Sequence, residues 1–96
     1  MYRVELSFDT SALDADSIER LCARTDEIFG QEDLNCAARQ PGRRVYQDRG
    51  RKQDYGRFWA AIFALKDAPF LAEHLKECFW YNGAEKENLI TEFLRN

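Results

Sequence analysis

Tyr2, Val4, Leu6 and Phe8 alternate with Arg3, Glu5, Ser7 and Asp9. Period two, with aromatic and aliphatic side chains on one side, predicts a half-buried strand. A polar turn follows from Thr10 to Ala15. Asp16 then offers a carboxylate cap with Glu19 three residues on, the spacing of a capping box. Ile18, Leu21, Cys22, Ile28 and Phe29, with Thr25 in the remaining stripe position, predict a helix that turns Glu19, Arg20, Arg24, Asp26 and Glu27 to water. Gly30 is the expected stop, because glycine takes the left-handed conformation at little cost.

The pattern is mixed from residue 31 to 43. Leu34, Cys36 and Ala38 alternate with polar or small neighbours, which fits a short strand over 34–39, and a helical turn over Glu32–Ala38 fits nearly as well. Gln40-Pro41-Gly42-Arg43 has the proline and glycine of a type II turn. Arg44 to Asp48 reads as a strand. Phe58-Trp59-Ala60-Ala61-Ile62-Phe63-Ala64-Leu65 is apolar on both parities, as in a strand covered on both faces, although three alanines also suit a buried helix. The aromatics and the preceding Gly56 favour the strand, so Arg49–Asp54 is expected as a hairpin connection. Asp67-Ala68-Pro69 opens a second helix striped by Leu71, Leu75, Cys78 and Phe79 and stopped at Asn82-Gly83. Glu85 and Glu87 precede a last helix carrying Leu89, Ile90, Phe93 and Leu94.

The expected fold is therefore α+β: a small antiparallel sheet of three or four strands with helices packed on one face, in the order β-α-(β)-β-β-α-α. The opening strand–helix–strand–strand–helix order is similar to ferredoxin-like and related split βαβ folds. Such folds carry many unrelated functions, so the likeness implies an architecture and no activity.

Ninety-six residues make one domain's worth of chain, and 45% apolar with 32% charged composition is that of a folded globule. No apolar stretch approaches the roughly 20 residues of a membrane helix. The opening residues show no basic segment followed by an apolar one, so no export signal and no membrane partner are expected, and the cytoplasm is the expected compartment. Cys22, Cys36 and Cys78 are odd in number and far apart, which reads as reduced thiols. His74 and Cys78 stand four apart on the expected second helix, the spacing of a thiol or zinc site, but no Cys-x-x-Cys accompanies them. No phosphate loop, dinucleotide fingerprint, nucleophile elbow or His-Glu-x-x-His occurs. No catalytic residue, cofactor or metal ligand is assigned, and an enzyme is not expected.

Charge sharpens this picture at one place. Arg39, Arg43, Arg44, Arg49, Arg51, Lys52 and Arg57 bring seven cations against Asp48 and Asp54, within a chain of net charge −3. Arg44, Tyr46, Arg49, Arg51, Lys52, Tyr55 and Arg57 together offer the cation-and-ring chemistry of single-strand nucleic-acid binding. A solvated loop, with Asp48 and Asp54 pairing locally, is the plainer reading. The apolar surplus points elsewhere. On the expected strand, Trp59, Phe63 and Leu65 face away from the helices, and soluble monomers rarely leave such a face bare. A homodimer or a protein partner is the natural cover. The leading expectation is thus a small interaction or regulatory module using Trp59, Phe63 and Leu65, and the alternative is nucleic-acid binding by residues 43–57.

Overall fold

Alternation delivers the first strand as expected. The computed structural model describes residues 1–94, and in it β1 (Tyr2–Phe8) buries Val4, Leu6 and Phe8 and leaves Arg3, Glu5 and Ser7 on its other side. The helix that follows, α1 (Ala15–Gln31), buries Leu21, Cys22, Thr25, Ile28 and Phe29. Its cap is Asp14 rather than Asp16: the Ser17 amide donates to Asp14 Oδ1 at 2.7 Å, which satisfies an otherwise orphaned N–H. Thr25 fits the core because its hydroxyl donates to the Leu21 carbonyl at 2.7 Å. Gly30 does not end this helix. The chain reverses at Asp33, whose φ of 56° places it in the left-handed region that aspartate tolerates better than most residues.

The uncertain stretch is a strand. β2 (Asn35–Gln40) pairs with β3 (Arg43–Gln47) across Pro41-Gly42, with one irregularity between Cys36 and Ala38. Gly42 has φ 76°, and a Cβ there would lie 2.8 Å from the Thr10 methyl, so the turn needs glycine on both counts.

Two expectations fail together. Phe58–Leu65 is not a strand but the body of α2 (Asp54–Lys66). At helical period Phe58, Ala61, Ile62 and Leu65 make one fully buried stripe, while Ala60 and Phe63 face water. The apolar run on both parities is a helix packed on the sheet along one side and on aromatic rings along another. Arg49–Asp54 is consequently a strand-to-helix connection and not a hairpin tip. The expected second helix shrinks to α3 (Pro69–Ala72), with Pro69 in its first turn, and Leu75, Cys78 and Phe79 belong to a strand, β4 (Leu75–Asn82). Gly83, at φ 61°, turns β4 into β5 (Glu85–Asn88). The last expected helix is a single turn of π type, Ile90–Leu94.

The protein is α+β, with one open sheet of five antiparallel strands ordered β2-β3-β1-β4-β5. The helices share its inner face with Val4, Leu6, Phe8, Tyr46, Cys78 and Trp80 in one hydrophobic cluster. The outer face is not the greasy second side expected of a Phe58–Leu65 strand. Register places Arg3 opposite Tyr81 and Glu5 opposite Phe79, and cations lie over both rings: Arg3 at 4.2 Å from Tyr81 and Lys86 at 4.3 Å from Phe79. Their alkyl stems shield the rings while their charges stay wet.

Candidate functional site

Helical spacing decides which aromatics reach the surface. Tyr55, Trp59 and Phe63 stand at i, i+4 and i+8 of α2 and so share one side. Phe63 is 54% exposed and Tyr55 47% exposed, while Trp59 and Phe93 are half-buried. The rings form a connected ridge: Trp59 to Phe63 is 6.4 Å, Phe63 to Phe93 5.1 Å and Trp59 to Phe93 5.9 Å between centroids. Trp59 also meets Trp80 at 5.6 Å, which roots the ridge in the core. Lys66 holds the terminal turn to α2, donating to the Phe93 carbonyl at 2.9 Å with its ammonium 4.1 Å above the Phe93 ring. The indole N–H of Trp59 is covered and has no hydrogen-bond partner among the described residues. Leu65, expected on the same surface, lies about 200° around the helix from Phe63 and is wholly inside. Of the three expected contact residues, then, Trp59 and Phe63 come together and Leu65 does not join them.

The basic stretch is largely turned inward. Arg44 Nε donates to Asp26 Oδ1 at 3.0 Å, and the Tyr46 hydroxyl donates to the same oxygen at 2.6 Å. Tyr46 is buried with its ring stacked on Phe29 at 4.0 Å, so no face of it is open to a base. Burial, reinforced by the Asp26 acceptor, pushes the Tyr46 phenol far above its ordinary pKa. Asp26, read from the sequence as solvent-facing, thus anchors α1 to β3.

The loop between β3 and α2 closes around Asp54, whose side chain has no exposed surface although only a thin layer of loop covers it. Its carboxylate accepts from the Arg49 amide at 2.7 Å, the Arg51 amide at 3.2 Å and Arg51 Nε at 2.8 Å. Burial works to raise its pKa, but the two amides and the guanidinium outweigh that and hold it below the usual carboxylate value. The loop's arginines then reach the end of α1. Arg51 bonds Asp33 Oδ2 at 2.7 Å and the Asp33 carbonyl at 2.8 Å; Arg49 reaches that carbonyl at 2.9 Å and Arg57 the Glu32 carbonyl at 3.3 Å. The last turn of α1 has no basic residue of its own. These three arginines supply donors and positive charge where a helix end presents unpaired carbonyls and a negative dipole. Lys52 and Tyr55 remain exposed.

The thiol pairing dissolves with its helix. Cys78 is buried in β4, and burial pushes its thiol up to about 12, whereas His74 precedes the strand and bonds through Nδ1 to the Phe70 carbonyl at 2.8 Å. Among the described residues no cluster of three His, Cys, Asp or Glu is placed to hold a metal, and no helix is long and apolar enough to cross a membrane. The acceptors that hold these arginines, Asp26, Asp33 and Asp54, were largely hidden in the sequence. Only Asp54, lying inside the arginine run, carried a signal. No protein-family model matches the chain, and neither a curated protein nor a solved structure matches it.

Proposed function

We propose that the protein is a non-enzymatic interaction module that self-associates through the aromatic ridge of α2 and the terminal turn. The observation that carries this reading is Phe63, a large ring more than half exposed at the crest of a packed ring cluster that touches the core. Aromatic side chains with a rigid base are the usual anchors of protein interfaces, since they bury much area for little conformational entropy. A two-fold dimer is the commonest way for one chain to cover such a surface. The sheet order β2-β3-β1-β4 with α1 and α2 on one side also supports the likeness to ferredoxin-like folds, with β5 and the terminal turn added beside β4. Nucleic-acid binding by residues 43–57 is the weaker reading, because Arg44, Tyr46, Arg49, Arg51 and Arg57 are engaged with protein groups.

Light scattering on a size-exclusion column at micromolar to high micromolar concentration tests the proposal. The wild-type chain is expected to run as a dimer, and Phe63→Ser as a monomer with an unchanged far-ultraviolet spectrum. A wild-type monomer throughout that range, or a Phe63→Ser protein that still dimerises, refutes self-association through this ridge.

A further inference from the structure

Among the described residues the sheet is five strands wide, but only two full-length helices lie on it. Beside β4 and β5 the terminal turn makes up the difference, with Leu89 and Leu94 buried there. Beside β2 no described element does so, and a cleft of about 540 Å³ opens between α1 and the β2–β3 hairpin. Ile18 and Cys22 on the α1 side and Pro41 on the hairpin side give it an apolar lining. Arg39 and Arg44, paired across β2 and β3, form its polar wall. A cavity of this size, mostly apolar with a few converging polar groups, has the make-up of a small-molecule site.

The bonds at the wall determine which charge is available. Asp26 Oδ1 receives both Arg44 Nε and the Tyr46 hydroxyl, which ties this carboxylate to β3. Arg44 Nη1 donates to the carbonyls of Gln40 at 2.7 Å and Arg43 at 2.9 Å, which fixes the guanidinium plane and leaves Nη2 without a bond among the described residues. Arg39 is exposed, its guanidinium beside the Cys36 sulfur, a contact that raises its pKa further. Burial works against the Arg44 charge, but its bond to Asp26 prevails and raises its pKa as well. Both cations therefore persist at any working pH. Glu19 also lines the cleft and is exposed on α1, so solvent screens its charge as it screens that of Arg39, and the half-buried Arg44 is the firmer anchor.

We infer that this cleft binds a small amphipathic carboxylate, its apolar body against Ile18, Cys22 and Pro41 and its carboxylate between Arg39 and Arg44. Arg39 can present a fork of N–H donors to the carboxylate, and Arg44 adds a single charge-assisted bond through Nη2. The site is independent of the α2 ridge and stands or falls separately from it.

Titration of the isotope-labelled full chain with sodium octanoate, followed amide by amide by nuclear magnetic resonance, is the test. Saturable shifts are expected at Ile18, Cys22, Arg39 and Arg44, with a Kd on the order of 1 mM for a ligand of this size. Octan-1-ol and octylammonium are expected to bind at least about tenfold more weakly, and Arg39→Ala, at an exposed position, to weaken octanoate by a similar factor with the rest of the spectrum retained. Absence of saturation, equal binding of the alcohol or the ammonium, or an unaffected Arg39→Ala protein overturns the assignment. So does movement of the cleft signals with protein concentration alone, which would place a second copy there instead.

Discussion

Asp54→Ala tests whether the arginine-rich connection is a structural clasp. The substitution removes one acceptor group that serves two backbone amides and the Arg51 guanidinium. At pH 7 the acceptor is an ionised carboxylate, so all three bonds are charge-assisted, each contributing about 1.5–3 kcal/mol net when fully shielded from water. The loop is shallow enough for water to reach the freed amides, which lowers the total, so the expected loss is about 3 kcal/mol. For a domain of this length that lowers Tm by about 12–24 °C. Asp54→Asn keeps the size and one acceptor oxygen, and should lose about half as much. Urea unfolding read by tryptophan fluorescence at pH 7 gives the comparison, because Trp80 and Trp59 lie in and beside the core. The acid limb adds a second reading. Because the folded-state pKa of Asp54 lies below its ordinary value of 3.8, its stabilisation is fully present above that range and is lost as pH falls through it toward the folded value. The wild-type advantage over Asp54→Ala should therefore shrink as the pH falls below about 5. A loss under about 1 kcal/mol at pH 7, or a difference that does not change with acid, refutes the clasp.

Two glycines in different settings should respond oppositely to alanine. Gly56 is exposed in α2 with nothing within 4 Å of a built Cβ, so Gly56→Ala should stabilise by about 0.5–1 kcal/mol. Gly42→Ala should destabilise by about 1–2 kcal/mol in the same urea experiment, since it opposes a φ of 76° and meets Thr10; equal responses would refute the turn geometry. Cys78 should resist iodoacetamide at pH 8 in the folded protein, because burial has pushed its thiol up to about 12 and keeps the thiolate form negligible. Modification of Cys78 as fast as that of the partly exposed Cys36, measured by peptide mass, would refute its placement in the core.

Local pattern revealed the fold where one face alone is buried. β1 alternates cleanly because its outer residues meet water and ions, and α1 shows a single stripe for the same reason. The reading inverted where both sides of an element are occupied. α2 carries rings on its flank as well as a core stripe, and so its run lost the helical period. β4 misled in the opposite direction. The register irregularity between Ser7 and Phe8 sets Leu75 inward along with Cys78 and Trp80, while Phe79 and Tyr81 lie under cations outside. That irregularity creates an apolar i, i+3, i+4 spacing indistinguishable from a helical stripe. Among the site residues, Trp59 and Phe63 were legible because four-residue spacing and bulk survive either reading, whereas Leu65 required the correct element. The roles of Asp26 and Asp33 come from contacts with residues distant in sequence, which no local pattern records.

The position of β1 has a consequence for how the chain reaches this state. β1 is synthesised before both of its neighbours and is the middle of the sheet, bonded to β3 on one edge and to β4 on the other, as where Glu5 lies between Val45 and Phe79. A nascent chain can close the first seam early, yet it must then hold an unpaired hydrophobic strand edge open until some thirty further residues have been added. Such an edge is the feature by which partly made sheets join one another wrongly. Completion of β4 is therefore the step that commits the molecule, and any fragment ending before Leu75 should be insoluble rather than half-folded.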